Sequence, residues 1–215
     1  MRISWATISL IILMLSAFAY TLFFVADVEA FYNAYGFSGA NVLSRPYVLV
    51  TSIFLHAGLV HLLSNVLTLL FFGLAVESEL GKAKMLTIFF IGAFAGDIFS
   101  LFIYPFDAIA VGASAGIFAL IGAGIFVKPL DLSLYPLVVP VPLALLGIMY
   151  AVYNAYGLVS GPSNISYIAH FGGLAVGVAY GIRREGWKRS LLIISAMLAI
   201  LAAIPIVWSA IKQVA

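Results

Sequence analysis

Residues 111–127 read VGASAGIFALIGAGIFV, which sets Ser114 between Gly112 and Gly116 at the head of a run without a charged side chain. Written as G-x-S-x-G, the stretch matches the nucleophile elbow of soluble serine hydrolases, in which a strained strand-to-helix turn lifts the serine out of the backbone. The apolar run behind the serine sets that reading against another, a helix that begins at the serine and continues into lipid.

Composition decides between them. Hydrophobic residues make up 65% of the 215 residues and charged residues 8%, against about 25% charged in an ordinary soluble domain. A soluble α/β hydrolase needs alternating strands and amphipathic helices with faces turned to water, and no stretch here supplies them over the required length. The expected class is therefore an all-α, polytopic membrane protein. The absence of cysteine excludes disulfides, thiolate chemistry and Cys-ligated zinc.

About 20 apolar residues cross the hydrocarbon as a helix, and seven candidate stretches appear. They run from about Ile3 to Ala26, from a start between Tyr47 and Leu59 to near Val76, from Met85 to Tyr104, from Ala113 to Val127, from Leu134 to Tyr156, from Ile165 to Ile182, and from Leu191 to Ile211. Ser16-Ala17-Phe18-Ala19 resembles a signal-peptidase site, but the first span is long for a cleaved h-region and is read as retained. With the N-terminus inside, Arg2, Lys82, Lys84, Lys128, Arg183, Arg184, Lys188 and Arg189 fall on the inner side, and only Arg45 and Lys212 fall outside. That sorting follows the positive-inside rule and supports the orientation. The stretch from Asp27 to Pro46, rich in Tyr, Phe, Gly and Asn, is expected to fold in the outer interface. No internal repeat or linker appears, so residues 1–215 are read as a single transmembrane domain, with a core over about 1–185 and an added span over about 190–211.

Polar side chains inside the hydrocarbon are costly and are candidate functional groups by default. His56, His61, Asn65, Asp97, Ser114 and His170 stand out. His61 and Asn65 are four apart and share a helix face, where they can serve either as interhelical hydrogen bonds or as paired donors to an oxyanion. His170 precedes Gly173, Gly177 and Gly181 at small-xxx-small spacing, which brings helices into close contact. If the helix it meets is the one flanked by Gly112 and Gly116, Ser114 and His170 form a dyad. Asp97 reads as mid-span and deeper than that pair, which argues against its acting as a third member. His56 and His61, five apart, would point about 140° away from each other on one continuous helix, and there is no H-E-x-x-H, so no metal site is expected.

In this order, HAGLVHLLSN, GLAVESELG, VGASAGIFAL and AHFGGLAVG together resemble the rhomboid family of intramembrane serine proteases over about residues 45–182. The resemblance implies a six-helix core, to which the seventh span is an addition. It implies Ser114 as nucleophile and His170 as general base, with His61, Asn65 and the Ser114 N–H stabilising the oxyanion. It further implies that His56 holds the loop before the second span, that Glu77 is a structural acid near that span's inner end, and that Phe118 stacks under the histidine. Gly112, Gly173 and Gly177 match glycines of these family segments, and Gly116, one place beyond the family's usual glycine, is read with them as structural support. Three departures stand out: Ala115 follows the serine where the family usually has glycine, Phe118 stands where the family often has tyrosine, and Ser44-Arg45-Pro46 replaces its Trp-Arg pair.

The function implied is hydrolysis of peptide bonds in or near transmembrane segments, by a site opening toward the outer face. Its partners would be transmembrane protein substrates and the lipid bilayer, with no cofactor, metal or nucleic acid. The alternative is a non-catalytic rhomboid-like protein that binds membrane segments. A small transporter would call for broken helices in matching repeats, and the sequence has no such repeat.

Overall fold

A computed structural model describes residues 4–131, 141–161 and 166–214, and among them the chain forms ten α-helices. They are α1 (Trp5–Phe24), α2 (Val28–Tyr35), α3 (Gly39–Ser44), α4 (Val48–Phe54), α5 (Leu59–Leu80), α6 (Lys82–Ser100), α7 (Ser114–Val127), α8 (Leu143–Ser160), α9 (Tyr167–Glu185) and α10 (Trp187–Val214). The seven long ones overlap the seven expected stretches. By length and apolarity alone α1, α5, α6 and α8 can each cross a membrane. α7 is shorter, and α9 carries Arg183, Arg184 and Glu185 in its last turn and meets α10 at a 119° bend. Gly186, at φ 81°, takes the left-handed backbone that this bend requires.

Several boundaries differ from expectation. Residues 47–56 do not join the second span: α4 ends at Phe54, and Leu55 to Gly58 turn the chain before α5 begins. The third span stops at Ser100, where the Leu101 N–H turns back to Ile98 O and closes the helix. The expected starts at Leu134 and Ile165 lie outside the described residues.

α7 forms the centre. Every residue from Ala115 to Val127 is buried, with α5, α6, α8 and α9 packed around it. Its 14 residues rise about 21 Å, less than the roughly 30 Å of a bilayer core. Apolar side chains gain little by leaving lipid for one another, so tight helix packing has to hold such a bundle together. Small residues provide it. Gly173 and Gly177 of α9 lie against the α7 backbone at Ala115 and Ala119, and Gly92 and Gly96 of α6 receive the methyls of Ala119 and Ala115.

The two ends of the bundle differ. At one, Arg184 of α9 meets Glu79 of α5 at 3.1 Å, and Lys128, just past α7, reaches Ser78 at 3.0 Å and Asp131 at 2.8 Å. Also at this end, Glu77 of α5 accepts from the N–H groups of Ala6 and Thr7 at 3.0 and 2.8 Å and from Thr7 Oγ1 at 2.8 Å. Ser4 makes no side-chain cap, so the carboxylate of a neighbouring helix satisfies the first-turn donors of α1.

At the opposite end the stretch from Asp27 to Pro46 folds as α2 and α3. Asp27 and Ser38 cap them, accepting from Ala30 N–H at 2.9 Å and Asn41 N–H at 3.1 Å. A two-way pairing of Phe37 with Ala110, at 2.9 and 2.8 Å, ties this layer to the segment that leads into α7.

Candidate active site

Ser114 is the first residue of α7, and Ile117 is the first of that helix whose N–H finds a carbonyl of its own, Ala113 O at 3.0 Å. The Ser114, Ala115 and Gly116 N–H groups thus stand at the positive end of a helix without intrahelical acceptors, an arrangement suited to developing negative charge. The approach to the serine is held from outside by Gly112, whose N–H donates to Ser52 O at 2.9 Å. Gly112 sits at φ 126°, and a Cβ there would come within 2.8 Å of the His61 ring.

His170 projects from the first turn of α9. Its Nε2 stands 2.8 Å from Ser114 Oγ, across the seam where Gly173 meets the α7 backbone. Phe118, one turn below the serine, stacks on the imidazole with centroids 4.4 Å apart and planes 8° apart. Tyr150 of α8 braces Phe118 edge-on. Ser114 and His170 are both partly exposed.

The glycines divide their work differently from expectation. Gly116 does not face the His170 helix; a Cβ there would come 2.8 Å from Phe89 of α6. The close approach of α9 comes from its own Gly173 and Gly177. Ala115, where a glycine is usual, directs its methyl into the space left by Gly96 of α6, so the extra carbon is accommodated by the neighbouring helix.

His61 and Asn65 lie one turn apart on α5. His61 packs on Gly112, while Asn65 is buried and donates Nδ2 to His61 O at 2.8 Å, keeping one amide hydrogen uncommitted. His56 is not on a helix continuous with His61. The turn at Leu55 to Gly58 brings the two rings to 5.0 Å, edge to face, so the angular separation expected of one helix does not apply. The His56 Nδ1 lies 3.2 Å from Phe54 O, and its own carbonyl accepts from Tyr32 of α2 at 2.8 Å. Burial, with His61 close by, lowers the His56 pKa to about 4. Among the described residues no three of His, Asp and Glu gather as metal ligands would.

Asp97 is corrected in depth. It lies in the last turn of α6, next to Gly96, which touches Ala115 and Ala169, and so stands level with the serine and histidine. It still does not join them: its Oδ2 has no hydrogen-bond partner, and the His170 Nδ1 is taken by Asn154 Oδ1 at 2.8 Å. Asn154, from α8, is the residue that sequence reasoning passed over. A lone amide in the apolar stretch MYAVYNAYG was the available signal, since polar groups in a span call for a partner.

Beside the approach to Ser114 opens a cleft of about 580 Å³. It runs between α2, at Val28 and Tyr32, and the segments carrying Ala57 and Val111.

A family model described as the Rhomboid domain matches residues 43–186. RHOMBOID-like protein 12, mitochondrial, of Arabidopsis thaliana is 31% identical over 160 residues, covering 66% of this chain and 48% of that protein. RHOMBOID-like protein 4 of the same plant is 36% identical over 127 residues, covering 59% and 31%. Rhomboid-like protease 3 of Toxoplasma gondii is 38% identical over 73 residues, covering 34% and 27%. The chain spans less than half the length of each of these relatives.

Proposed function

The chain belongs to the rhomboid family, as the match over residues 43–186 shows, and from that premise we propose that it is an intramembrane serine endopeptidase working through Ser114 and His170. The observation that carries the reading is the 2.8 Å approach of His170 Nε2 to Ser114 Oγ at the N-terminus of a buried helix. At that distance the imidazole can take the hydroxyl proton as Oγ attacks a peptide carbonyl. The oxyanion of the tetrahedral intermediate faces the Ser114 N–H, with His61 and Asn65 as side-chain donors. His170 then gives its proton to the departing amine, leaving an acyl-serine. Water, deprotonated by the same imidazole, attacks the acyl carbon and releases the acid and the free serine.

The substrate class is a transmembrane segment near its outer end, entering from the lipid bilayer. A helix exposes no peptide bond to attack, so the segment has to unwind locally, which favours stretches containing Gly or Pro. The site opens to the outer face, with the N-terminus in the cytoplasm.

The test combines two measurements. A fluorophosphonate serine probe should label the wild type in detergent and should fail on Ser114→Ala. Purified protein in liposomes should cleave a single-span substrate, and both Ser114→Ala and His170→Ala should lose that activity. Substrate binding with neither labelling nor cleavage by the wild type would identify a non-catalytic membrane-segment binder instead. Wild-type turnover by either variant would remove the dyad.

A further inference from the structure

We infer that Asn154 is a positioning residue for His170, so that the working unit is Ser114–His170–Asn154, assembled from α7, α9 and α8. The inference rests on the protease reading for its consequence, but its core is a statement about one proton.

The polarity of the contacts decides where that proton sits. The Tyr167 carbonyl can only accept, so the Asn154 group 3.1 Å from it is the Nδ2 amine. This turns Oδ1 toward His170 Nδ1 at 2.8 Å. An amide oxygen also only accepts, so Nδ1 must carry the hydrogen. A neutral imidazole holds one N–H, which leaves Nε2 with a lone pair directed at Ser114 Oγ. That is the tautomer a general base needs. In the other tautomer an Nε2–H would donate to the serine oxygen and could not take its proton.

Among the described residues no other hydrogen bond of the ring makes this selection. Phe118 stacks on the imidazole face and fixes its plane, but a half-turn about the Cβ–Cγ bond leaves the ring in that plane while moving both nitrogens. The bond to Asn154 opposes the half-turn. Asn154 is itself held: it is 1% exposed, both ends of its amide are engaged, and Gly157, one turn on, lets α8 close against the Tyr167 ring. An amide suits this depth because it orients the imidazole without placing a second formal charge in the membrane. Asn65, on α5, is a different group with a different task.

The experiment reads the tautomer directly. The chain contains three histidines, so ¹⁵N-histidine NMR of protein in detergent, assigned with His170→Gln, resolves His170. The expected wild-type signature is Nδ1–H with an unprotonated Nε2. Asn154→Leu, similar in size, should lose the single tautomer and lower kcat roughly tenfold to a hundredfold with little change in KM, the scale of a small misplacement of a reacting group. Asn154→Asp keeps the accepting oxygen but not the amine, and should restore the Nδ1–H signature and most of kcat. A wild type protonated on Nε2 overturns the inference, and that readout survives even if Asn154→Leu does not fold. An Asn154→Leu variant that keeps Nδ1–H overturns it too, whatever its activity. If the wild type shows the expected tautomer but neither labels nor cleaves, the protease reading fails while the positioning of His170 stands.

Discussion

Gly173→Ala tests the seam on which the site depends. A Cβ at this position would overlap the Ala115 carbonyl oxygen and stand 2.7 Å from its carbon and 3.2 Å from the Ala115 Cα, where ordinary contact begins at 3.4 Å. All three atoms are backbone, and no side-chain rotation relieves them. α9 must therefore withdraw from α7 by roughly 1 Å, since close-packed interiors have no slack at that scale. His170 rides on the same helix one turn away, so its 2.8 Å contact with Ser114 opens toward ~4 Å, past the roughly 3.2 Å limit for direct proton transfer. A misplacement of this size costs about 10²-fold in rate, and the crowding costs roughly 1–3 kcal/mol in stability. The assay is single-turnover cleavage of a reconstituted single-span substrate, with thermal unfolding in detergent measured on the same preparation. Gly58→Ala is the control, because a Cβ there meets nothing within 4 Å. A Gly173→Ala protein that keeps wild-type turnover at an unchanged melting temperature would refute the packing described for α7 and α9.

Glu77→Ala removes the acceptor for three donors at the start of α1. Hydrogen bonds to a charged group contribute roughly 1.5–3 kcal/mol each and are not additive, so the melting temperature should fall clearly while kcat of the folded fraction stays level. An unchanged melting curve would show that α1 does not depend on this carboxylate. Gly96→Ala should be damaging because its methyl meets both that of Ala115 and the Ala169 carbonyl oxygen, the latter at 2.7 Å, so adding Ala115→Gly should recover only the share owed to Ala115; a double-mutant cycle with no coupling would contradict that contact. His56, held at a pKa of about 4 by burial, binds its proton in the unfolded chain first, from about pH 6.5 downward. Stability should thus be full above that pH and decline toward pH 4, by up to roughly 3 kcal/mol at about 1.4 kcal/mol per unit. His56→Gln should flatten this part of the pH–stability curve, and an identical slope in the variant would assign the titration elsewhere.

Much of this was legible in the chain itself. An 8% share of charged residues determined the solvent, and the seven apolar runs overlap the seven long helices. Four motifs in order pointed to the family, and through that resemblance to Ser114 and His170 as the candidate pair. The small-xxx-small spacing of Gly173 and Gly177 correctly announced a close helix contact. All of these signals are properties of one helix at a time: composition, period and the face on which a residue falls.

What only the tertiary structure decided is how those helices are set against one another. Sequence spacing gives a residue's angle around its own axis but neither the depth of one helix relative to the next nor the rotation that faces them together. Asp97 therefore reads as mid-span in the sequence and lies level with Ser114 and His170 in the fold, yet its Oδ2 finds no hydrogen-bond partner among the described residues. Gly116 reads as a seat for the His170 helix and receives Phe89 instead. The break at Leu55 to Gly58 folds His56 back onto His61, which no helical angle could anticipate. Asn154 looks like an isolated amide until α8 is placed beside α9. Its amide then accepts from one histidine nitrogen and leaves the other free for the serine, because the backbone contacts of small residues fix the depth at which these helices meet.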